Sequence, residues 1–290
     1  MTQMHNKTAP WFYRLIVIVT ILALPACSAS DSFSQLSAQV IESHRLESQL
    51  NETSGLVCTA DTAITLNDSG NKAALYRIDA KGHIQHHQLL SFDNHDFEAV
   101  TADDEFFYIG DVGNNRGQRP YVYIQQVSRS NFKKQQTLKI TYTGNVPGQN
   151  RPYAHDYDAE ALVSRDDHLL LFSKSWATEK VKVYRIAKDN KNQTVEPVAH
   201  IEGLPGLVTG ADWDVANQRY VLVGYEPSPI GLFEAFVAVV TPDFTIEGVA
   251  RLDQFAQVEG VCVKDASHIW LTQESTPLDS ARLGVVQLSQ

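Results

Sequence analysis

From Ser30 onward the apolar residues of this chain do not recur at helical spacing. They fall in short runs rich in Val, Ile, Tyr and Phe, separated by clusters of Gly, Asn, Asp and Ser, which is the pattern of β-strands joined by turns. Five segments repeat one order: a small or acidic residue heading an apolar strand, a polar turn, and a second apolar strand. They begin at Ser54, Glu98, Glu160, Thr209 and Glu259, with second strands at 63–66, 107–110, 169–172, 220–223 and 269–272. The starts lie 44, 62, 49 and 50 residues apart, the spacing of propeller blades.

Third and fourth strands are expected at 74–78 and 84–90, 121–127 and 137–142, 182–186 and 196–201, and 236–240 and 245–252. The fifth unit stops after 283–288, one strand short, while residues 38–46 precede the first repeat with no unit of their own. Pairing these two would close the ring and leave no open sheet edge. The expected fold is therefore all-β, a five-bladed propeller over residues 37–290 closed by its N-terminal strand. A six-bladed ring would have to hide a blade in the 62-residue interval, and a two-sheet sandwich would not require the repeated order.

The chain begins differently. Lys7 and Arg14 precede an apolar run at 15–23 that ends in Leu24, Pro25, Ala26 and Cys27, too short for a comfortable membrane span. Residues 1–26 read as a signal peptide, Cys27 as the acylated first residue of a lipoprotein, and 27–36 as a tether. Ordinary cleavage nearby, with Cys27 a spare thiol, is the alternative. Ser28, rather than Asp, after the cysteine implies the outer membrane, periplasmic side. The formal charge of −10 argues against nucleic acid as a partner and leaves the lipid anchor as the membrane contact. Export permits disulfides, and Cys58 and Cys262 remain. They fall on neighbouring blades of a closed ring with opposite strand parity, so a disulfide is one expectation and two buried thiols the other.

The motifs Asp96-Phe97-Glu98-Ala99-Val100, Ala159-Glu160-Ala161-Leu162, Thr209-Gly210-Ala211-Asp212 and Val258-Glu259-Gly260-Val261 resemble those of the SdiA-regulated group of bacterial envelope propellers. The run from Tyr108 to Arg116, with Asn67-Asp68-Ser69-Gly70, is also similar to secreted propellers called phytase-like or esterase-like. The resemblance implies fold and envelope location and no settled biochemical role. Ser54 and Thr209 depart from it, standing where the group has carboxylates.

In a propeller the first strand of each blade lines the axis, so the repeat starts should gather on one face. Asp68, Asp111, Lys174, Tyr225 and Glu274, at the ends of the second strands, should join them, with Asn114 and Arg116 on a nearby loop. Converging carboxylates raise each other's pKa unless a cation intervenes. Glu98, Glu160, Glu259, Asp96 and Asp158 are thus the candidate metal ligands, with calcium the ion that hard oxygen donors favour. Alternatively these glutamates accept backbone N–H bonds or pair with Lys174 and Arg116. His155, beside Asp156, suggests a supporting or surface role rather than a ligand, and His83, His86, His87 and His95 decorate the periphery. Asn67-Asp68-Ser69-Gly70 reads as a turn, since no histidine or nucleophile-elbow motif accompanies Ser69. Trp176, Phe233 and Tyr225 could stack on a ligand. The expected function is a ligand-binding or interaction module with an acidic, calcium-accepting face; the alternative is a metal-dependent hydrolase of phosphate or carboxylic esters, in which metal-bound water attacks.

Overall fold

The computed structural model describes residues 36–227 and 233–289. The segment read as a signal peptide, Cys27 and nearly all of the segment read as a tether lie outside these residues. Strand β1 (Ser37–Arg45) comes first. Blade I is β2 (Thr53–Cys58), β3 (Thr62–Asn67), β4 (Ala74–Asp79) and β5 (Ile84–Leu89). Blade II follows as β6 (Phe97–Ala102), β7 (Phe106–Asp111), β8 (Val122–Ser128) and β9 (Lys134–Tyr142). Blade III comprises β10 (Ala159–Ser164), β11 (His168–Ser173) and β12 (Val181–Ala187), then, after β13 (Asn192–Val195), β14 (Pro197–Ile201). Blade IV is β15 (Leu207–Asp214), β16 (Arg219–Glu226), β17 (Glu234–Val240) and β18 (Ile246–Arg251). Blade V has β19 (Val258–Val263), β20 (His268–Gln273) and β21 (Arg282–Ser289), and takes β1 as its fourth strand.

Among the described residues five sheets, not six, make the ring, and no two-sheet sandwich forms. Strand β1 runs antiparallel to β21, from Ser37 opposite Ser289 to Arg45 opposite Arg282, so the first and last strands of the described chain share a blade. The inner strands β2, β6, β10, β15 and β19 touch in a closed cycle. One apolar layer fills each of the five junctions between blades. Each inner strand is therefore buried on both faces, which is why its sequence is a continuous apolar run rather than an alternating one. Gly55 sits in the left-handed region at φ +65°, and a Cβ there would lie 2.6 Å from the backbone nitrogen of Val100 in the next blade.

Two features have no counterpart in the apolar pattern. Strand β13 leaves blade III and pairs in parallel with β9, covering the outer edge of blade II. Every inner strand also carries a β-bulge near its start, at Gly55, Glu98, Glu160, Thr209 and Glu259. A bulged residue has no partner opposite and its side chain is re-aimed, so four of the five repeat starts turn out of their sheets. Cys58 and Cys262 are disulfide-bonded across the junction of blades I and V, with Cα atoms 5.4 Å apart. Among the described residues no helix is long and apolar enough to cross a membrane.

Candidate ligand cavity on the propeller axis

The bulged starts and the ends of the second strands enclose a cavity of about 400 Å³ at one end of the axis. Ser54, Glu98, Glu160 and Glu259 line it from the inner strands, and Asp68, Lys174, Tyr225 and Glu274 from the second strands. Thr209, the fifth start, is fully buried and donates to the carbonyl of Val258. Ser54 does the same to the carbonyl of Glu98 at 2.8 Å. In the two blades without a ring carboxylate, a hydroxyl thus ties the blade to its neighbour.

Asp111 is displaced from the expected ring. It pairs opposite Phe97, the position that Asn67, Ser173 and Gln273 hold in blades I, III and V. The equivalent of Asp68, Lys174 and Glu274 is therefore the next residue, the buried Val112. Successive strand residues face opposite ways, and Asp111 turns to Arg119 at 2.7 Å and His95 at 3.0 Å. Asn114 is also spent on structure: its backbone N–H donates to Asp158, its side-chain amide donates to the carbonyl of Tyr157, and its Oδ1 accepts the N–H of Arg119. Arg116 is exposed and lines a neighbouring cavity of about 350 Å³ with Asp96, His95 and Arg119.

The five proposed ligands do not converge as one set. Glu160 receives Lys174 Nζ on both oxygens, at 2.6 and 2.7 Å. Asp158 accepts the N–H groups of Asn114 and Ala159 and the indole N–H of Trp176, the last at 2.7 Å, and so fixes that ring. Glu259 accepts the Gln257 side-chain amide at 3.0 Å, and the same amide reaches Glu274. Asp96 and Glu98 do come together, joined by Asp68: among the described residues these three carboxylates bring oxygens within 4.8 Å of one another. Gly113 makes room for them, since a Cβ there would lie 2.5 Å from both Asp96 Oδ2 and Glu98 Oε1.

The electrostatics follow from burial with too few cations. Burial pushes Asp68 up to about 6, against the opposing hydrogen bond from the Ser69 amide. Burial likewise raises Asp96, and it raises Glu98 well above the ordinary glutamate value with the charges of Glu160, Asp68 and Asp96 adding to it. Glu259 is pushed up to about 8 by burial against the pull of Lys174, and Glu274 to about 8 by burial and the charge of Asp68. A cation in this cavity would reverse these shifts.

No family model and no curated protein matches the chain. Solved structures similar to it include a luciferin-regenerating enzyme, at 9% identity and TM-score 0.44, covering 88% of this chain and 95% of that one. Others are a member of the DUF4221 family from Bacteroides vulgatus, at 9% identity and TM-score 0.44 over 89% and 99% of the two chains, and the Dos1 propeller, at 11% and 0.41 over 80% and 57%.

The cavity also contains residues that the repeat reading passed over. Gln257 precedes Glu259 by two positions, as Asp96 precedes Glu98 and Asp158 precedes Glu160, so its place was legible in the repeat. Tyr153, on the loop between blades II and III, packs edge-on to Trp176 with ring centroids 5.1 Å apart. His155 is buried: its Nδ1 accepts the N–H of Tyr157, while Asp156 holds the loop after Lys174 through Ala177 and Thr178.

Proposed function

We propose that this chain is a lipid-anchored envelope protein, attached through Cys27 to the periplasmic side of the outer membrane, whose propeller binds a ligand through its acidic axial cavity. Calcium is the cation we assign to Asp68, Asp96 and Glu98. The observation that carries this reading is Glu98. It is 6% exposed, it lines the cavity, and its carboxylate accepts no hydrogen bond from any other described residue. A carboxylate so little exposed favours a proton or a cation, and Asp68 and Asp96 beside it supply the further oxygens that a divalent ion needs.

The ring motifs keep the SdiA-regulated group as the family we propose. A phosphate-ester hydrolase has less support, because Lys174 is neutralised by Glu160 and Arg119 by Asp111. Calcium should raise the melting temperature of the purified protein, since a ligand bound by the folded state alone stabilises it by mass action. Glu98→Gln should remove that rise, and a melting temperature indifferent to calcium and chelator would refute the ion. For the anchor, Cys27→Ser should move the protein from the membrane to the soluble fraction.

A further inference from the structure

The axial cavity is polarised by blade. Blades V, I and II contribute Glu259 and Glu274, Asp68 and Glu98, whereas blades III and IV contribute the aromatic faces of Trp176, Tyr225 and Phe233. The cation inside it, Lys174, is spent on Glu160 and on the hydroxyl of Tyr225. We propose, resting on the ligand-binding reading above, that the cavity takes an organic ammonium with an apolar body, its nitrogen at Glu259 and Glu274 and its body against Trp176 and Tyr225.

Charge comes first. Gln257 gives Glu259 and Glu274 one shared neutral donor, which satisfies part of their lone pairs and none of their charge. These two glutamates are not part of the Asp68, Asp96 and Glu98 group, and Lys174, which acts on both, is already paired with Glu160, so a calcium ion in that group leaves them short of positive charge. A neutral ligand would leave them so as well, and an anion would be repelled.

The aromatic side supplies the second argument. Trp176 is held by Asp158 at its indole N–H and by Tyr153 at its edge. Tyr225 is held by Lys174 at its hydroxyl, 3.0 Å away, and packs edge-on to Phe233 with centroids 5.0 Å apart. Both rings are therefore positioned before any ligand arrives, and Lys174 Nζ already lies 5.0 and 5.2 Å from their centroids, the distance at which a ring face attracts a cation. An inorganic ion gains little from such walls, whereas an ammonium on a carbon skeleton uses both halves of the cavity. A volume of about 400 Å³ suits a small molecule.

The test is titration calorimetry on the purified full-length protein with phenethylamine and n-hexylamine, against phenethyl alcohol and 3-phenylpropionate, in chelator and in calcium. Both amines should bind at least about tenfold more tightly than the alcohol, and the carboxylate should not bind. Glu274→Gln should weaken the amines by about tenfold or more and leave the calcium-induced rise in melting temperature intact. Glu98→Gln should do the reverse. Equal binding of amine and alcohol, or no amine binding in protein that still responds to calcium, would overturn this proposal and leave the calcium reading standing; amine binding without a calcium response would do the opposite. If Glu274→Gln does not fold, the comparison of amine with alcohol on the native protein decides alone.

Discussion

Lys174 Nζ lies 2.6 and 2.7 Å from the two carboxylate oxygens of Glu160 and 3.0 Å from the hydroxyl of Tyr225, so all three ammonium donors are spent at once. Burial works against the Lys174 cation, but Glu160, Tyr225, Glu259 and Glu98 outweigh it and hold its pKa well above the ordinary lysine value. The pair sits on the axis and ties the second strand of blade III to the first strand of the same blade and to blade IV. Removing one partner would leave the other charge buried and alone. Lys174→Met should therefore destabilise the protein by about 3–5 kcal/mol in chemical denaturation. Combining it with Glu160→Gln should recover part of that loss, because the carboxylate that Lys174 pairs directly is then no longer left without its partner.

Gly113 offers a way to perturb the three-carboxylate group without altering a ligand atom. A Cβ placed there would lie 2.5 Å from an oxygen of Asp96 and of Glu98 and must push them apart. Gly113→Ala should lower calcium affinity by about tenfold or more in a titration followed by melting temperature, with every carboxylate still present. Undiminished affinity would mean that the ion does not sit between those oxygens.

The ring starts were legible because the propeller repeats them: one inner strand per blade needs the same apolar run, and the residue that heads it falls at the same place each time. Asp111 shows where spacing alone misleads. It is an acidic residue at nearly the right distance from Glu98, yet the pairing with Phe97 makes Val112 the counterpart of Asp68, Lys174 and Glu274, and one residue along the chain reverses the side chain. The bulges that turn Glu98, Glu160 and Glu259 inward are local backbone departures with no signature in the apolar pattern. Strand β13 was hidden for another reason. Its residues Asn192, Gln193 and Thr194 are polar, and they form a strand because the edge of β9 offers partners. The pairing of Glu160 with Lys174 was open in the sequence as one alternative to metal; the partition of five carboxylates between a lysine, an indole, an amide and a possible ion depended on rotamers that only packing fixes.

The raised pKa values of Glu259 and Glu274 set a direction for stability against pH. Both carboxyls bind a proton more tightly in the folded protein, at about 8, than the ordinary value of 4.5. Between these limits the folded state carries protons that the unfolded state has released, so stability falls as pH rises. The groups facing the pair are Lys174, Asp68, Glu160, Gln257 and Glu52, and Lys174 stays charged throughout the window. In chelator, the melting temperature should decline from about pH 5 to about pH 8. The double variant Glu259→Gln and Glu274→Gln should flatten the decline. A melting temperature that rises over this interval would contradict the burial of two protonated carboxyls.

Two of the links that close the ring at blades I and V are separable. Strand β1 completes blade V by hydrogen bonding along β21, while the Cys58–Cys262 disulfide, with a sequence separation of 204, crosses from β2 to β19 within the apolar layer between the blades. A cross-link that closes so long a loop restricts the unfolded chain and contributes about 2–4 kcal/mol in typical cases. Pairing of β1 acts instead on the folded state, by covering the backbone edge of β21 and burying Leu36, Leu46 and Leu288. Cys58→Ser combined with Cys262→Ser should therefore lower the midpoint of denaturation while leaving a monomeric, fully folded ring. Deleting residues 36–46 should expose β21 as an open edge, so that the protein self-associates even with the disulfide intact. Size-exclusion chromatography beside a denaturation curve separates the two effects, and a count of free thiols in the denatured, unreduced protein checks the bond itself: reactive Cys58 and Cys262 would remove the cross-link from the account.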